Sequence, residues 1–354
     1  MNALVRANEL AAELFRRELR NRRSGWAADH LIRRRLGAAL NSDSTWEIGF
    51  APDRWTRLVD HLRSNGVDDD VIVAAGLASP TPSGYLAARF RDRITFVAHD
   101  IDLRPVGFVA RSRSGEPRYL NTRSTKVYTK GRSLVGLVAQ RKRLASGAVP
   151  VVVEGPMDAY AVSLLGDQWA GLTPCGTALT RHQALMIREH AVADSVIMMF
   201  DADAGGRAGA ERSLALLAPL FGTVLIAELP ERRDPAALYS ADPGLLRTAI
   251  RQTRPLLEFA IDAELARWVR VLDHVSGQVD ALRAVAPLVV RLPSDRIGTQ
   301  VVRLAAHLNL EERVVSRELL ACVGRRPRAG ASADDLEADL DLGSRTFQNR
   351  DPGS

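Results

Sequence analysis

The sequence predicts an α/β fold: a parallel sheet flanked by helices in the middle of the chain, preceded by an α+β part and followed by a small helical bundle. From Val149 onward, apolar runs of strand length alternate with helical segments, a pattern typical of a parallel sheet with right-handed crossovers. Between Tyr85 and Leu137, runs of alternating polarity predict β-strands separated by turns. After Asp234 the pattern becomes helical.

The elements before the sheet are predicted from periodicity and from turn residues. The amphipathic N-terminal segment predicts helix up to about residue 40. The run from Trp46 predicts a short strand, a turn at Pro52 and a helix that ends at Gly66. The segment DDDVIVAAGLA predicts another helix, with aspartates in its first turn and Gly76 at its end.

Acidic residues follow two of the predicted parallel strands. Glu154 comes directly after VPVVV, and Asp201 and Asp203 come directly after SVIMMF. Open parallel sheets bind ligands beyond the carboxyl ends of their strands, so we expect these acids to meet at one edge. The polar segment after Val323, rich in Gly, Ser and Asp, is predicted to be disordered.

Composition limits the class of protein. A chain of 354 residues with 46% hydrophobic residues is long enough for two or three domains. No apolar stretch approaches ~18 residues, so no membrane span is predicted, and the charged N-terminus lacks the apolar core of a signal peptide. Two cysteines, Cys175 and Cys322, exclude a disulfide framework and predict a reduced, cytoplasmic protein.

The distribution of charge favours a polyanionic partner. The net charge is +6, but the stretch 101–147 alone holds eleven Arg and Lys residues against two acids, a net of +9. The chain has only three lysines, which all fall between Lys126 and Lys142. Such a tract indicates either a solvated face or a binding surface for nucleic acid, and composition alone does not decide between them.

The acids predict a metal site. Several close carboxylates repel one another unless a positive charge neutralises them, and oxygen ligands without a His or Cys cluster favour a hard cation, Mg²⁺ or Mn²⁺. The structural alternative is that Asp201 and Asp203 cap the helix that follows. Beside a basic tract, a metal points to phosphate chemistry. The turn CGTALT either lines the site or is only a turn in which Thr180 is a helix N-cap. Cys175 is expected to be a small packing residue rather than a nucleophile.

These motifs resemble those of a known family. EGPMDAYAVSLLG, CGTALT and MMFDADAGGRAGAERSLALL resemble a Toprim domain, the metal-binding module of primases and topoisomerases. Upstream, WEIGFAPDRWTRLVDHL, ARFRDRITF, VGFVARS and RYLNTRSTKVYTKGRSLVGL come in the order seen in the RNA-polymerase core of bacterial DnaG-type primases. LPERRDPAALY is similar to that family's third acidic motif. The resemblance spans residues 8–323.

The resemblance implies a set of site residues. The implied metal ligands are Glu154, Asp201, Asp203 and Asp234. The implied template- and nucleotide-contacting residues, here called the basic ridge, are Arg34, Arg89, Arg91, Arg93, Asn121 and Lys130, with Arg118 in the place of the family's lysine before YLN. The implied catalytic residues are Glu154, Asp201, Asp203 and Lys130.

The chain departs from the family pattern at three further positions. Ala236 replaces an aspartate of the third acidic motif, which weakens the expectation of a second metal. Ala202 and Arg35 replace glycines. Two cysteines cannot form the family's zinc ribbon, and the helicase-binding domain is also expected to be absent.

The resulting hypothesis is a DNA primase catalytic core that makes short RNA primers on single-stranded DNA from ribonucleoside triphosphates. A replicative helicase or a separate zinc-ribbon protein would be a further partner, and no membrane is involved. The alternatives are a Toprim nuclease and a catalytically degenerate primase that only binds single-stranded DNA. The predicted domains are a basic α+β part (1–147), the Toprim domain (148–235), a helical subdomain (236–323) and a disordered tail (324–354).

Overall fold

A computed structural model describes residues 2–21, 24–176, 178–199, 204–230 and 233–324, with side chains described outside 204–208 and 324. The chain packs as two compact units, one up to Ala260 and one from Ile261 onward. The predicted tail lies outside the described residues, apart from Gly324, which ends the last helix. None of the helices in these ranges combines the length and the apolar character needed to cross a membrane.

The described strands run in chain order as follows: β1 Ile48–Ala51, β2 Ala78–Pro80, β3 Leu86–Ala88, β4 Arg93–His99, β5 Pro105–Ser112, β6 Tyr119–Asn121, β7 Leu134–Val135, β8 Val149–Val153, β9 Trp169–Pro174, β10 Ser195–Met199, β11 Thr223–Ala227 and β12 Thr253–Pro255. The described helices are α1 Ala3–Asn21, α2 Trp26–Arg33, α3 Arg57–Ser64, α4 Asp69–Ala74, α5 Leu137–Ala145, α6 Pro156–Ser163, α7 Arg181–His190, α8 Ala204–Leu217, α9 Pro235–Ala241, α10 Pro243–Arg251, α11 Leu256–Trp268, α12 Val275–Val289, α13 Ser294–Leu308 and α14 Glu312–Gly324.

Ten of these strands form one sheet in the order β12-β11-β10-β8-β9-β7-β4-β5-β6, with β1 paired beside β4. The strands β11, β10, β8 and β9 are parallel, as predicted from the alternation of strands and helices. The sequence did not show that this parallel sheet continues into the N-terminal strands. The short strand β7 connects the parallel strands to the N-terminal strands, because it pairs antiparallel with both β9 and β4.

The helix α6 lies directly against β9. A Cβ atom on Gly171 of β9 would lie 2.0 Å from the carbonyl oxygen of Ala159 in α6, so only glycine permits this approach. All the residues of α6 are buried, because the helix is covered on its other side by α9. This packing fixes Asp158, near the start of α6, inside the protein.

The N-terminal helix predicted up to about residue 40 is interrupted. The helix α1 ends at Asn21, α2 begins at Trp26, and a 3₁₀ turn covers Gly37–Leu40. Gly25 with φ of 148° precedes α2, and Arg35 with φ of 57° follows it. Arg35 thus occupies the left-handed conformation that favours glycine, which gives a physical reason for the glycine expected at this position.

The segment after Asp234 is helical as predicted, with one exception. Thr253–Pro255 forms β12, which extends the sheet antiparallel to β11. A strand of three residues that includes a proline is too short to show a periodic pattern, so the sequence did not predict it. The helices α9 and α10 contribute Ala236, Leu246 and other residues to the core beneath the parallel strands. The predicted domain boundaries remain predictions.

Candidate active site

The carboxyl ends of β8 and β10 lie side by side. Met199, the last residue of β10, pairs with Val153, the last residue of β8. Glu154 follows β8 with an exposed side chain, and its carbonyl oxygen accepts a hydrogen bond from Thr173 Oγ1 at 3.0 Å. Asp201 and Asp203 lie outside the described residues. The strands thus bring Glu154 to the predicted edge, beside the end of the strand that leads to the aspartate pair.

A second acid, Asp158, lies close behind Glu154. Its side chain is buried, and its Oδ1 accepts a hydrogen bond from the backbone N–H of Ala236 at 3.0 Å. A methyl group on Gly155 would lie 2.7 Å from Asp158 Oδ2 and 3.7 Å from the Tyr119 hydroxyl, so both groups border this glycine. Asp158 therefore ties α6 to the first turn of α9, and the residue it holds is the alanine that replaces the family's aspartate.

Asp234 begins α9 and has two partners. Its Oδ1 accepts a hydrogen bond from the backbone N–H of Ala237 at 2.6 Å, which makes it the N-cap of the helix. The same oxygen lies 3.4 Å from Arg34 Nη1. The structure thus brings together two predicted site residues that are separated by 200 positions in the chain. One is a predicted metal ligand and the other belongs to the basic ridge.

Tyr119 lies where the acids meet the basic residues. Burial raises the pKa of Tyr119 to about 12, and the charges of Asp158 and Asp234 act in the same direction, while those of Arg111 and Arg118 oppose them. Arg111 pairs with Tyr119 across β5 and β6 and hydrogen-bonds to its side chain. One phenol is therefore in contact with a buried arginine and within the field of two carboxylates.

Arg111 and Tyr119 were absent from the predicted site. Arg111 is 8% exposed and belongs to β5, whose residues from Val106 to Ser112 are all buried. A signal was available, because an arginine inside an apolar strand requires a special partner. Burial lowers the pKa of Arg111, and the neighbouring charges of Arg118 and Arg34 add to this effect.

The pKa of His30 reflects the positive charge of the arginines around it. Its pKa is lowered to about 4, first by burial and then by the charges of Arg111, Arg34, Arg33 and Arg118. Arg33 ends α2 and Arg34 follows it, Arg111 belongs to β5, and Arg118 directly precedes β6. Positive charges brought this close favour an anion between them.

Four residues of the basic ridge donate hydrogen bonds to backbone carbonyl oxygens, and Arg91 does so to Ala88. The guanidinium of Arg89 donates two hydrogen bonds to the carbonyl oxygen of Asn121, at 3.0 and 2.7 Å. Asn121 Nδ2 in turn donates to the carbonyl oxygen of Cys175, just after β9. Arg93 Nη1 donates to the carbonyl oxygen of Pro117 at 2.9 Å. Arg89 and Arg93 therefore fix the segment that carries Arg118 and Tyr119.

Lys130 begins the short 3₁₀ turn Lys130–Arg132 and has an exposed side chain. Its carbonyl oxygen accepts a hydrogen bond from Gln183 Nε2 at 2.8 Å. Gln183 also completes the capping box of α7 with Thr180, which confirms Thr180 as an N-cap. Burial raises the pKa of the Cys175 thiol to about 12, and the charge of Lys130 opposes this shift.

The donor groups suit a hard divalent cation. Glu154 and Asp234 supply carboxylate oxygens, and Cys175 is buried in the core. Among the described residues, no three His, Cys, Asp or Glu side chains come together as a metal cluster. Asp201 and Asp203 do not belong to the described residues. The carboxylates of Glu154 and Asp234 are donors of the type that an oxygen-coordinated divalent cation takes, and the ligand set with the aspartate pair remains a prediction.

Two families of known proteins match the chain. The family described as DNA primase catalytic core, N-terminal domain, matches residues 14–141. The family described as Toprim-like matches residues 151–239. The first match covers the strands that carry Arg111 and Tyr119, and the second covers Glu154, Asp158 and Asp234.

Whole proteins and solved structures agree with these matches. The DNA primases of Mycolicibacterium smegmatis and Deinococcus radiodurans are 30% and 33% identical to the chain over 313 and 312 residues, in each case 86% of this chain. The alignments cover 48% and 52% of those proteins, so the chain spans about half the length of the curated relatives it matches. The RNA polymerase domain of Mycobacterium tuberculosis primase DnaG, solved with a double-stranded DNA oligomer that has a 6-nucleotide overhang, superimposes with a TM-score of 0.69 at 29% identity. That match covers 88% of this chain and 98% of that one.

Proposed function

The chain belongs to the DnaG primase family, whose N-terminal catalytic-core and Toprim domains it contains, and from this premise we propose that it synthesises short RNA primers on single-stranded DNA by metal-dependent nucleotidyl transfer. The relatives that carry the name DNA primase are about twice as long as the matched region. The activity is therefore proposed for this chain on the basis of its own residues.

The meeting of opposite charges around Tyr119 carries the proposal. Asp158 and Asp234 act on Tyr119 from the Toprim side, and Arg111 and Arg118 act on it from the N-terminal side. Nucleotidyl transfer needs cations to hold triphosphate and template, and carboxylates to hold a metal beside the reacting phosphate. A nuclease that cuts with a Toprim domain alone has no use for the buried Arg111.

Glu154, Asp201, Asp203 and Asp234 would hold the divalent cation, either Mg²⁺ or Mn²⁺. A bound divalent cation neutralises phosphate charge during phosphoryl transfer. The other residues of the site are assigned to supporting tasks. Asp158 positions the start of α9, and with it Asp234, through its hydrogen bond to the N–H of Ala236.

The basic residues are assigned to the polyanionic substrates. Arg118 and Lys130 are exposed and are assigned to phosphates of template and nucleotide. Arg111 orients the Tyr119 hydroxyl, while Arg34 neutralises Asp234 at 3.4 Å until a cation or a phosphate competes for either partner. Arg89 and Arg93 position β6 through its backbone.

Partners and location belong to the same proposal. The substrates are single-stranded DNA and ribonucleoside triphosphates. A replicative helicase or a separate zinc-ribbon protein would complete the machinery in the cytoplasm. The overhang-bearing DNA bound by the Mycobacterium tuberculosis domain, at 29% identity, supports a DNA substrate for this fold.

Labelled ribonucleotide incorporation on single-stranded DNA, with Mg²⁺ and with Mn²⁺, tests the proposal. We expect short RNA products from the native chain and none from Asp201→Asn, which removes a charge with little change in volume. Nicked DNA without RNA product would identify a Toprim nuclease. Binding to single-stranded DNA without either product would identify a degenerate primase.

A further inference from the structure

The turn that carries Lys130 is bound to the first turn of α7. The carbonyl oxygens of Lys130 and Ser133 each accept a hydrogen bond from Gln183 Nε2, both at 2.8 Å. The carbonyl oxygen of Gly131 accepts one from Thr180 Oγ1. The last carbonyl groups of a helical turn have no donor within the turn. Here the start of α7 supplies donors to three of the four residues between 130 and 133.

The side-chain amide of Gln183 uses both its donor and its acceptor groups in this contact. Its NH₂ group donates to the two carbonyl oxygens, and its Oε1 accepts a hydrogen bond from the backbone N–H of Thr180 at 3.1 Å. These partners fix the orientation of the amide, because a carbonyl oxygen needs a donor and an N–H needs an acceptor. Gln183 is 1% exposed, so water has little access to these hydrogen bonds. The contact is therefore buried and directional.

The turn and the helix also pack closely against each other. A Cβ atom on Gly131 would lie 3.0 Å from Thr180 Cγ2, so the absence of a side chain at this position permits the close approach. On its other side the turn is closed by its own residues. The carbonyl oxygen of Thr129 accepts hydrogen bonds from the Arg132 N–H at 2.9 Å and from Ser133 Oγ at 3.0 Å. The backbone around Lys130 is thus fixed from two directions.

The turn lies at the edge of the sheet to which Glu154 also belongs. Leu134, the second residue after the turn, pairs with Pro174, the last residue of β9. β9 is parallel to β8, and Thr173 Oγ1 of β9 donates a hydrogen bond to the carbonyl oxygen of Glu154 at 3.0 Å. α7 follows the same end of β9. The start of α7 therefore fixes the turn relative to the strand that lies beside Glu154.

We propose that Gln183 is a positioning residue for Lys130, because it fixes the backbone from which the ammonium group reaches the phosphates. This inference rests on the proposed function, which assigns Lys130 to phosphates. The side chain of Lys130 is exposed, and a lysine carries its charge on a flexible four-carbon stem. The position of its backbone therefore limits where the charge can lie. Misplacement of a group by about 1 Å can lower a rate about 100-fold.

Primer-synthesis kinetics of Gln183→Met, alone and combined with Lys130→Ala, test the positioning role. Methionine keeps the length of the side chain and removes its donors, while Thr180 Oγ1 can still accept the backbone N–H of residue 183 as the N-cap of α7. Gln183→Met is expected to lower kcat about 10-fold and to leave KM for the nucleotide nearly unchanged. In the Lys130→Ala chain the same change is expected to have no further effect, because no ammonium group remains to be positioned.

The matched control is Asp242→Ala, which weakens another helix start. Asp242 is the N-cap of α10 and accepts a hydrogen bond from the Gly244 N–H at 2.8 Å. Its loss is expected to lower the melting temperature and to leave kcat unchanged, with or without Lys130. If Gln183→Met lowers kcat by the same factor in the native and the Lys130→Ala chains, its role is merely structural and the inference is overturned.

A protease that cuts only after lysine examines the turn without any enzymatic activity of the chain. The chain has three lysines, Lys126, Lys130 and Lys142, and such cleavage reports how often a segment opens locally. Gln183→Met is expected to raise the rate of cleavage after Lys130 about 10-fold. Cleavage after Lys142, in the last turn of α5, should not change. An unchanged rate after Lys130 would overturn the inference.

A variant that unfolds as a whole would be cut faster at both Lys130 and Lys142. In that case Gln183→Glu takes its place in both experiments, because glutamate keeps the acceptor of the capping box and lacks the NH₂ donors. The same losses of kcat and of protection after Lys130 are then expected, and their absence would overturn the inference.

The outcome also separates this inference from the proposed function. A native chain that makes no primer overturns both. A native chain that makes primers, with a folded Gln183→Met variant that makes them equally fast, overturns the positioning role alone. A Gln183→Met variant that loses kcat only when Lys130 is present, and that is cut faster after Lys130, supports both.

Discussion

The two charged regions of the site are built differently. In the acidic region, Asp158 and Asp234 accept hydrogen bonds from backbone N–H groups of α9. In the basic region, Arg118 and Lys130 have exposed side chains. Loss of a buried acceptor leaves an unsatisfied N–H and costs stability, whereas loss of an exposed cation costs little. Asp158 and Asp234 are thus part of the fold, whereas the exposed cations contribute little to its stability.

The basic region itself divides in the same way. Arg89 and Arg93 hold the backbone of 117–121, and burial lowers the pKa of each guanidinium. Arg91 stacks on Trp55 and Arg34 pairs with Asp234. Three arginines within five positions, 89–93, therefore make different contacts, and the local sequence does not show which arginine makes which contact.

The largest expected effect comes from Glu154, the exposed member of the acidic region. Glu154→Gln is expected to lower primer synthesis at least about 100-fold, because removal of one group that stabilises transition-state charge has that cost. Its melting temperature should stay close to that of the native chain. Asp158→Ala is the contrast, since it leaves the Ala236 N–H without its acceptor and is expected to cost about 1–3 kcal/mol of stability.

Calorimetry and primer-synthesis rates on the two variants measure this contrast. If Glu154→Gln destabilises the chain as much as Asp158→Ala does, the division between exposed and structural acids is wrong. If Glu154→Gln retains its rate, the residue is not a ligand of the metal.

Lys130 tests the basic region. Lys130→Ala is expected to lower the rate of primer synthesis about 100-fold without a change in melting temperature, because its side chain is exposed. Lys142→Ala removes the same charge from the same tract, in the last turn of α5, and is expected to be nearly silent. Equal small effects would show that the tract acts only as a diffuse field.

Two variants of Asp234 separate its role as the N-cap of α9 from the effect of its negative charge. Asp234→Ala loses the N-cap of α9 and is expected to cost about 1 kcal/mol of stability. Asp234→Asn keeps an N-cap acceptor and removes the charge, so its stability should be near native while primer synthesis falls. Thermal unfolding and rates of both variants provide the test. An Asn variant with native activity would remove Asp234 from the metal site.

The sequence predicted the individual strands and helices better than the connections between the parts of the sheet. The parallel sheet was predicted because apolar runs of strand length alternate with helical segments after Val149. The fusion of this sheet with the N-terminal strands depends on β7, two residues long, and no two-residue pattern carries a period. The left-handed Arg35 and the edge strand β12 were missed because each depends on tertiary contacts that override local preference.

The sequence identified candidate site residues by their type, but it did not identify the contacts among the side chains of the site. Glu154 was named because an acid directly after a predicted strand is visible in the sequence, and Asp234 was named because of the resemblance. Tyr119 and Arg111 were not, since their importance comes from burial and from pairing across β5 and β6. The predicted positions Asp201 and Asp203 lie outside the described residues, so their part in the site remains a prediction.

The smallest expected effect is a change of pKa at His30, beside the basic region. Its pKa of about 4 lies below the ordinary 6.5 because of burial and the charges of Arg111, Arg34, Arg33 and Arg118. As the pH falls from 6.5 to 4, the unfolded chain takes up a proton that the folded chain refuses. The contribution of His30 to stability is therefore complete above pH 6.5 and is lost between pH 6.5 and 4.

A phosphate bound between these arginines would cancel part of their charge and raise the pKa of His30 by about one unit. Nuclear magnetic resonance titration of the histidine ring, with and without oligothymidylate, measures the shift, and His30→Gln identifies the signal. His274, which lies in the second compact unit beside Asp273, serves as the control and should not respond. A pKa of His30 that is the same with and without the strand would show that DNA does not reach the arginines around Tyr119.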